Sequence, residues 1–333
     1  MSERSPIAPS PALASDAQST TNGEPKVAIV TAVYNGADHI LETLESVHQQ
    51  TFSDFEMVVV DDGSDDATPE IVQSFPDARI RMIESGGRTG VSAARNLGLE
   101  TCSAPLIVFL DADDLLLPEA LERMVATLDA HPDAVACFGH HIKIGMASEP
   151  IGGTEPSALK KLPEKDTLRH LVARNFICNG GALCMRTAAA REAGGFDPDL
   201  RFGEDREFWC RVAVQSDFVF VPETFLKYRI RPSGANNSLA GTALHINKDA
   251  IDRIFRSPEI RAQFSERDLR ALEHRAHAND HWSAARNQLF SGRILSFLQF
   301  LAVGLARYPD SLLNWRLIYL FFHSLKPTRN RSA

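Results

Sequence analysis

Three aspartates follow directly after a short apolar segment. Residues 106–110 form an unbroken apolar run, as expected for a strand buried on both faces of a sheet, and Asp111, Asp113 and Asp114 come next. Ligands of open α/β sheets bind at the carboxyl ends of the strands. If the backbone stays extended, Asp111 and Asp113 point the same way, so both can reach one hard cation or the diphosphate that it carries. A lone Asp-X-Asp pattern is at least as well explained as a turn that caps the next helix.

Polar residues also end two earlier apolar segments. Thr31, Tyr34 and Asn35 lie at the end of the first, and Asp61 and Asp62 at the end of the second. In neighbouring parallel strands, these five side chains lie within reach of one ligand. A tyrosine ring can stack on a base, and a carboxylate can accept the ring N–H of uracil. The second strand end is by itself also typical of an ordinary turn. Neither a Gly-x-Gly-x-x-Gly fingerprint nor a P-loop is present, so neither of those modes of nucleotide binding is indicated.

These polar ends need a scaffold in which strands and helices alternate. Apolar runs predict strands over residues 26–33, 55–60, 79–83 and 106–110. Apolar residues at helical spacing predict an amphipathic helix after each strand, and Pro118 is placed to open the last one. Four alternations with short crossovers favour parallel pairing in a doubly wound α/β sheet.

Several sequence blocks occur in a recognisable order between about residues 26 and 232. They resemble the signature blocks of the family 2 glycosyltransferases, and each is weak alone but strong in this order. The resemblance implies the GT-A fold, a doubly wound mixed sheet, here followed by a C-terminal helical appendage. The blocks are VTAVYN at 30–35, VVDDGS at 59–64, VSAARN at 91–96, FLDADD at 109–114, GGFD at 194–197 and GEDREFW at 203–209.

The resemblance also implies roles for individual residues. In the family, the positions of Tyr34 and Asp61 hold the base and ribose of a nucleotide-sugar donor. The position of Asp113 ligates Mn²⁺ or Mg²⁺, which bridges the donor diphosphate, and Asp111 lies beside the ribose and phosphates. The position of Asp205 is the general base for the acceptor hydroxyl. The chemistry suits these residue types, because hard cations prefer carboxylate oxygens and a hydroxyl needs a base to become a good nucleophile.

Four charged positions have competing interpretations. Glu204 and Asp205 could simply begin a helix, since acidic residues are favoured by the helix dipole. Arg88 and Arg95 could each reach a phosphate, but Arg95 is expected to support the edge of the sheet, so neither is included in the predicted site.

One position departs from the family pattern. Many relatives carry a histidine where this chain has Arg231, and that histidine can complete the metal shell. Arginine cannot ligate a cation, but it can bind a diphosphate bidentately. We therefore expect Arg231 to contact the donor diphosphate, and the metal to be held by Asp113, the donor and water.

Composition limits the remaining choices. The chain has 333 residues, of which 44% are hydrophobic, and a formal net charge of −8. An acidic chain without a basic stripe argues against nucleic acid as a partner. Five scattered cysteines without a Cys-x-x-Cys pair indicate reduced residues of a cytoplasmic protein. We expect a disordered tail over residues 1–25, a catalytic domain over 26–235 and a helical region over 236–333.

The C-terminal region predicts helices over 274–289, 293–305 and 311–325. Their apolar faces can pack on the catalytic domain or on a second subunit in a homodimer. The last helix offers a third partner, a membrane surface at the inner face of the membrane, because aromatic residues lie beside basic ones. These residues are Trp315, Tyr319, Phe321, Phe322, Lys326, Arg329 and Arg331. No apolar stretch reaches the roughly 18 residues that span a bilayer.

The sequence thus predicts an inverting, metal-dependent hexosyltransferase that uses a nucleotide sugar, with UDP-sugars favoured. Its acceptor would be a carbohydrate, a lipid-linked molecule or a protein, as in polysaccharide or glycolipid biosynthesis. Two alternatives stay open. Asp111 and Asp113 also resemble the nucleophile and acid of haloacid-dehalogenase-type phosphatases, although Leu115 stands where that family has Thr or Val. A non-catalytic scaffold that binds nucleotide sugars is the other.

Overall fold

A computed structural model describes residues 24–151, 166–177, 179–230 and 247–309 of the chain. The strands in these ranges are β1 Val27–Val33, β2 Phe55–Asp61, β3 Ile80–Glu84, β4 Leu106–Phe109, β5 Leu115–Leu116, β6 Ala136–Ile144, β7 Leu183–Arg186 and β8 Phe218–Arg229. The helices are α1 Ile40–His48, α2 Thr68–Ser74, α3 Val91–Thr101, α4 Ala120–Ala130, α5 Thr167–Ala173, α6 Thr187–Glu192, α7 Glu204–Ala213, α8 Lys248–Arg256, α9 Pro258–Arg261, α10 Glu266–Phe290 and α11 Ile294–Arg307.

The strands form one mixed sheet in the order β3-β2-β1-β4-β7-β6-β8-β5. The first four strands of that order are parallel, with β1 central between β2 and β4. Strand β7 runs antiparallel to β4 and β6, and the short β5 runs antiparallel to β8. The predicted doubly wound mixed sheet is therefore confirmed, and its parallel half is the part that alternates with helices.

Strand β1 shows why the sequences of these strands are continuous runs of apolar residues. Its Val30 side chain joins the core beneath α3 and α7, whereas Ile29 joins the core beneath α1 and α4. Both faces of the strand are covered, so no position favours a polar residue until the strand ends. The polar residues consequently accumulate at the carboxyl ends of the parallel strands.

The aspartates after β4 do not continue the strand. Strand β4 ends at Phe109, and the N–H of Asp114 donates to the carbonyl of Asp111 at 3.2 Å, which closes a turn. The expectation that Asp111 and Asp113 share a direction because the backbone is extended is therefore wrong. The alternative interpretation is correct in that this stretch is a turn, but the turn does not cap the next helix, because β5 lies between it and α4.

The C-terminal helices pack on the catalytic part of the chain. Ile251 and Phe255 of α8 and Leu269 of α10 share one core with Trp209 of α7. Helix α10 begins eight residues earlier than predicted, at Glu266. Packing on the catalytic domain, one of the three alternatives for this region, is thus what α8–α10 show.

Helix α11 packs on α10 and leaves one side uncovered. Trp282 of α10 is buried against Phe297 and Phe300 of α11, while Leu295 and Leu298 on the other side of α11 are exposed. Within the described ranges, no helix is both long and apolar enough to cross a membrane. The helix predicted over 311–325, with the aromatic and basic residues of the membrane hypothesis, lies outside those ranges.

The cysteines that the structure describes are free, buried thiols. Cys137 and Cys184 face each other across β6 and β7, and Cys210 lies in α7. Burial raises the pKa of Cys137 and of Cys210 to about 12, so both remain protonated and unreactive at neutral pH. These cysteines are core residues, and Cys178 lies outside the described residues.

Candidate active site

The parallel strands bring three polar loops to one edge of the sheet. In the β1–β2 pair Val33 lies beside Asp61, and in the β1–β4 pair Val30 lies beside Phe109. The loops after β1, β2 and β4 therefore leave the sheet side by side. The predicted grouping of polar strand ends follows directly from this register.

A buried arginine lies at the centre of this edge. The Arg95 guanidinium donates through Nη2 to Asp111 Oδ1 at 2.6 Å, and through Nη1 to Asp205 Oδ1 at 3.0 Å and to Glu204 Oε1 at 3.2 Å. Its side chain is only 7% exposed. Helix α3 thus joins the aspartate turn after β4 to the acidic start of α7. The sequence prediction left Arg95 out of the site, whereas the structure shows it in contact with two predicted site residues, Asp111 and Asp205.

The charges around Arg95 are unequal, with three carboxylates facing one guanidinium. Burial raises the pKa of Asp205 most, Arg95 opposes that rise, and Glu204 and Asp111 add to it, so that the pKa reaches about 7. Burial alone would lower the pKa of Arg95, but the three carboxylates outweigh it and raise that pKa further, so the guanidinium stays charged. A carboxyl group with a pKa near neutrality can both take up and release a proton under ordinary conditions.

The start of α7 has a backbone that suits glycine. Gly203 has φ 74°, and a Cβ built on it would lie 2.8 Å from the Cβ of Ala250 in α8. Glu204 and Asp205 follow in the first turn of the helix. The two interpretations of this acidic pair are compatible, because the pair begins a helix and also faces Arg95.

The residue after Arg95 fastens a second loop. The Asn96 side chain donates through Nδ2 to the Phe196 carbonyl at 2.8 Å, and its Oδ1 accepts from the Phe196 N–H at 2.7 Å. The Phe196 ring packs between Phe109 and Phe208, with centroid distances of 4.8 and 4.4 Å, and lies 5.1 Å from the Arg95 guanidinium. The loop around Phe196 is therefore held by both its backbone and its aromatic ring.

The aspartate turn is fixed from behind by Asp114 and by two residues that the sequence did not indicate, Asn179 and Arg229. Asp114 is fully buried and accepts from the backbone N–H of Arg229 at 2.8 Å and from Asn179 Nδ2. Asn179 Nδ2 also lies 3.3 Å from Asp111 Oδ2, and Arg229 Nε donates to the Asp113 carbonyl at 2.8 Å. Burial, followed by repulsion from Asp111 and Asp113, raises the pKa of Asp114 well above its usual value. Asp114 therefore supports the turn from inside the protein.

The loops after β1 and β2 are tied together at the outer part of the edge. Asn35 donates through Nδ2 to Asp65 Oδ1 at 2.6 Å, and its backbone N–H donates to Ser64 Oγ at 2.9 Å. Tyr34 is 39% exposed, and the Arg88 guanidinium carbon lies 4.2 Å from the centroid of its ring. Tyr34 is thus available to a ligand, whereas Asn35 is engaged in positioning the two loops.

Asp62 holds the loop that precedes α3. Its Oδ1 accepts from the Thr89 N–H at 2.7 Å and from Ser85 Oγ at 2.8 Å, and its Oδ2 accepts from the Gly90 N–H at 2.8 Å. Burial alone would raise the pKa of Asp62, but these hydrogen bonds outweigh it and lower the pKa. The carboxylate is therefore engaged with the protein, and contact of Asp62 with the nucleotide-sugar donor stays a prediction.

The other predicted donor residues differ in accessibility. Asp61 is buried and accepts from the Ser64 N–H at 3.2 Å. Thr31 is fully buried, and its hydroxyl has no hydrogen-bond partner among the residues that the structure describes. Arg231, predicted to contact the diphosphate, lies outside the described residues. For these three residues, ligand contact stays a prediction.

A divalent cation would have to be shared with a ligand at this site. Within the described part of the chain, no three His, Cys, Asp or Glu side chains are grouped to hold a metal. Asp113 is half-buried on the turn beside Asp111 and offers carboxylate oxygen. Mg²⁺ and Mn²⁺ sites of nucleotide enzymes commonly use one or two carboxylates and take their other ligands from phosphate and water. The residues present fit such a shared ion.

A mixed sheet whose parallel half gathers acidic loops at one edge defines the GT-A class of fold, and comparison with known proteins agrees. The structure is similar to residues 1–349 of S. aureus TarS in complex with UDP-GlcNAc, with a TM-score of 0.61 and 20% identity over 91% of this chain and 85% of that TarS segment. It is also similar to the mannosyltransferase PcManGT from Pyrobaculum calidifontis in complex with GDP-Man and Mn²⁺, with a TM-score of 0.58 and 20% identity over 93% and 89%. The GT-A fold implied by the sequence blocks is confirmed.

Comparison of the sequence with known families and proteins identifies the family. Residues 28–192 match the model of glycosyl transferase family 2. The succinoglycan biosynthesis protein ExoO of Rhizobium meliloti is 29% identical over 248 residues, which cover 72% of this chain and 66% of ExoO. The match thus spans about two thirds of the length of that curated relative. This chain belongs to glycosyl transferase family 2.

The contacts of Asn96 generate a stability prediction. We expect Asn96→Ala to lower the free energy of unfolding by about 1–3 kcal/mol, because the N–H and carbonyl of the buried Phe196 lose their partners. Urea unfolding followed by tryptophan fluorescence measures this change. Glu100→Ala, an exposed substitution on the same helix, is the control and should change stability by less than about 0.5 kcal/mol. Equal effects of the two substitutions would contradict this role of Asn96.

Proposed function

We propose that this protein transfers a hexosyl group from a UDP-sugar to an acceptor hydroxyl, with inversion at the anomeric carbon. The observation that carries the proposal is the sharing of Arg95 by Asp111, on the donor side, and Asp205, the candidate base. One guanidinium brings these two carboxylates to the same point at the edge of the sheet. Membership of glycosyl transferase family 2 gives the class of reaction.

The donor would lie along the loops after β1, β2 and β4. In this proposal the exposed Tyr34 ring contacts the base, Asp61 contacts the base or ribose, and Asp111 lies beside the ribose and phosphates. Two similar structures are complexes with nucleoside diphosphate sugars, UDP-GlcNAc for TarS and GDP-Man for PcManGT. The preference for uridine rests on the pairing of a carboxylate with the uracil ring N–H. Arg231 would bind the diphosphate, as the sequence predicts.

Asp113 would hold a divalent cation together with the donor diphosphate. When bound, such a cation neutralises the charge that develops on the leaving nucleoside diphosphate. The protein keeps the Asp113 carboxylate in place through the contact of Arg229 with its carbonyl and through the buried Asp114. The turn is therefore organised before any ligand arrives, which reduces the free-energy cost of binding the ion and donor.

Asp205 would accept the proton of the acceptor hydroxyl. Its side chain is 22% exposed, so the carboxylate can be reached from solvent while it is held by Arg95. A pKa of about 7 makes it a stronger base than an ordinary aspartate and still leaves a large ionised fraction at neutral pH. A single displacement assisted by one base inverts the anomeric configuration.

The acceptor is proposed only as a class. A carbohydrate, lipid-linked or protein hydroxyl would suit the reaction, and polysaccharide or glycolipid biosynthesis is the corresponding process. The relative ExoO is a succinoglycan biosynthesis protein, which agrees with a carbohydrate product for that relative. Homodimer formation and peripheral contact with the inner face of a membrane stay predictions from the C-terminal sequence.

Incubation with a panel of nucleotide sugars and Mn²⁺ tests the reaction class. We expect UDP release from at least one UDP-sugar, with water as a slow acceptor, and no phosphate release from a phosphate monoester. Phosphate release from the monoester would support the phosphatase alternative, although Asp111 is paired with Arg95 and the family match gives that alternative no support. Binding of a UDP-sugar without any release would support the non-catalytic scaffold.

Replacement of Asp113 tests the metal proposal. We expect Asp113→Ala to reduce turnover by about 10²-fold or more, and to abolish the increase in UDP affinity that Mn²⁺ produces in the wild-type protein. Calorimetric titration with UDP, with Mn²⁺ or with EDTA, measures that increase. Asp54→Ala is the matched control, because this exposed aspartate precedes the amino end of β2, opposite the site. If Mn²⁺ still strengthens UDP binding to Asp113→Ala, Asp113 is not the ligand.

Replacement of Asp205 separates catalysis from donor binding. The Asp205→Asn substitution keeps the shape of the side chain and removes the proton acceptor. We expect turnover to fall by about 10²–10⁴-fold while UDP affinity stays nearly unchanged. Glu204→Gln, the neighbouring carboxylate on the same arginine, should cost much less. A greater loss of single-turnover rate in Glu204→Gln than in Asp205→Asn would identify Glu204 as the base. If both variants stay active, the acidic pair only begins the helix and neither residue is the base.

A further inference from the structure

Arg95 connects two parts of the site that the reaction must bring together. Its Nη2 faces the turn after β4, whereas its Nη1 faces the first turn of α7. Strand β4 and helix α7 are far apart in the sequence, since β4 ends at Phe109 and α7 begins at Glu204. The guanidinium is therefore a direct link between Asp111 and Asp205.

We propose that Arg95 is a positioning residue for the reaction: its guanidinium fastens the catalytic base Asp205 to the donor-binding turn at Asp111. The inference rests on the proposed function, since it takes Asp205 as the base and the turn as the donor site. Arg95 acts through these two carboxylates and needs no contact with the reacting atoms.

The geometry favours arginine over any other cationic residue. A planar guanidinium presents N–H groups in several fixed directions, so Arg95 can hold Asp111 through one nitrogen and Glu204 and Asp205 through another. A lysine ammonium is a compact charge on a flexible chain and cannot fix two separate carboxylates in the same way. The role of this residue therefore depends on shape as well as on charge.

The guanidinium is itself held in place. Helix α3 carries it, the neighbouring Asn96 binds the backbone of Phe196, and the Phe196 ring lies 5.1 Å from the guanidinium carbon. Because the side chain is almost fully buried, few alternative rotamers are open to it. The link between donor turn and base is thus formed before a ligand binds, which is what positioning requires.

The link also determines the proton affinity of the base. The groups that act on Asp205 are Arg95 from α3, Asp111 from the turn after β4 and Glu204 from α7. Burial and the two carboxylates raise the pKa of Asp205, and Arg95 lowers it. Without the guanidinium, the pKa of Asp205 should rise above 7, and the carboxyl group should be protonated at the pH where the wild-type base is largely ionised.

The sign of the pH effect follows from this balance. The base works only in its ionised form, so wild-type turnover should rise with pH through about 7 and level off above it. We expect Arg95→Gln to move this midpoint upward by about 1–3 pH units, the usual effect of losing an opposite charge at contact distance. Turnover at neutral pH should fall about tenfold for each unit of that shift. Arg95→Lys keeps the charge and should move the midpoint less, while still losing turnover on the plateau because the geometry is lost.

The experiment combines pH profiles of single-turnover rates with a direct titration of Asp205. Aspartate labelled with ¹³C at the carboxyl carbon gives the titration by NMR, and the resonance of Asp205 is the one that disappears in Asp205→Asn. The variants are Arg95→Gln and Arg95→Lys. Arg191→Gln is the control, because Arg191 binds backbone carbonyls at the end of α3 and should affect stability without moving either titration.

The outcomes separate this inference from the proposed function. An upward shift of the Asp205 titration in Arg95→Gln, with little loss of UDP affinity, supports the positioning role. An unchanged Asp205 titration in Arg95→Gln overturns the positioning role. A pH profile of turnover that shifts as far in Arg191→Gln as in Arg95→Gln overturns it as well. Loss of UDP affinity with an unchanged titration would make Arg95 a phosphate ligand instead. If Arg95→Gln does not fold, an unchanged plateau rate in Arg95→Lys overturns the inference. A wild-type protein without turnover refutes the proposed function, and the NMR titration still decides whether Arg95 controls Asp205.

Discussion

The arrangement of the candidate active site depends on one electrostatic constraint, a buried guanidinium that faces three carboxylates. Transfer of a charge from water into a protein interior costs several kcal/mol unless the charge is paired and hydrogen-bonded. Arg95 meets this condition only when the turn after β4 and the start of α7 are both in place. The three carboxylates in turn would repel one another without it. Each part of the edge therefore stabilises the others.

The fold supplies this constraint through two kinds of contact. Parallel pairing of β1 with β2 and β4 sets the loops side by side, and this depends on apolar packing over both faces of the sheet. The aromatic rings of Phe109, Phe196 and Phe208 then pack together, and the Phe196 ring lies 5.1 Å from the Arg95 guanidinium. Apolar packing on this side of the buried Arg95 excludes water there and strengthens its attraction to the carboxylates. The polar site is thus a product of the apolar core below it.

The sequence could predict the sheet because its signals are local. A run of apolar residues indicates a strand buried on both faces, and the residue that ends the run marks the edge, as Asp61 and Asp111 do. The extended geometry expected for Asp111 and Asp113 was wrong because the turn is imposed from elsewhere, by Asn179 and by Arg229. A local sequence pattern does not indicate partners that lie so far away in the chain.

The partners of Arg95 could not be predicted from the sequence for a similar reason. Its place in the VSAARN block put it on α3 beside the buried Ala94, and a buried arginine requires acidic partners. That signal was present in the sequence. Periodicity shows that a side chain is buried, however, without showing which of many acidic residues it meets. The acidic partners lie on α7 and on the turn after β4, and the local pattern around Arg95 does not identify them.

The close approach of Gly203 to Ala250 has a consequence for how related chains can diverge. A methyl group on Gly203 would collide with Ala250, and a larger side chain at 250 would press on the backbone that begins α7. The two positions are therefore under a joint steric restriction, although one belongs to a predicted catalytic domain and the other to a C-terminal region. Exchange of that region between relatives would transmit any mismatch in size to the first turn of α7. Recombination at this junction should succeed only between parents whose residues at both positions are small.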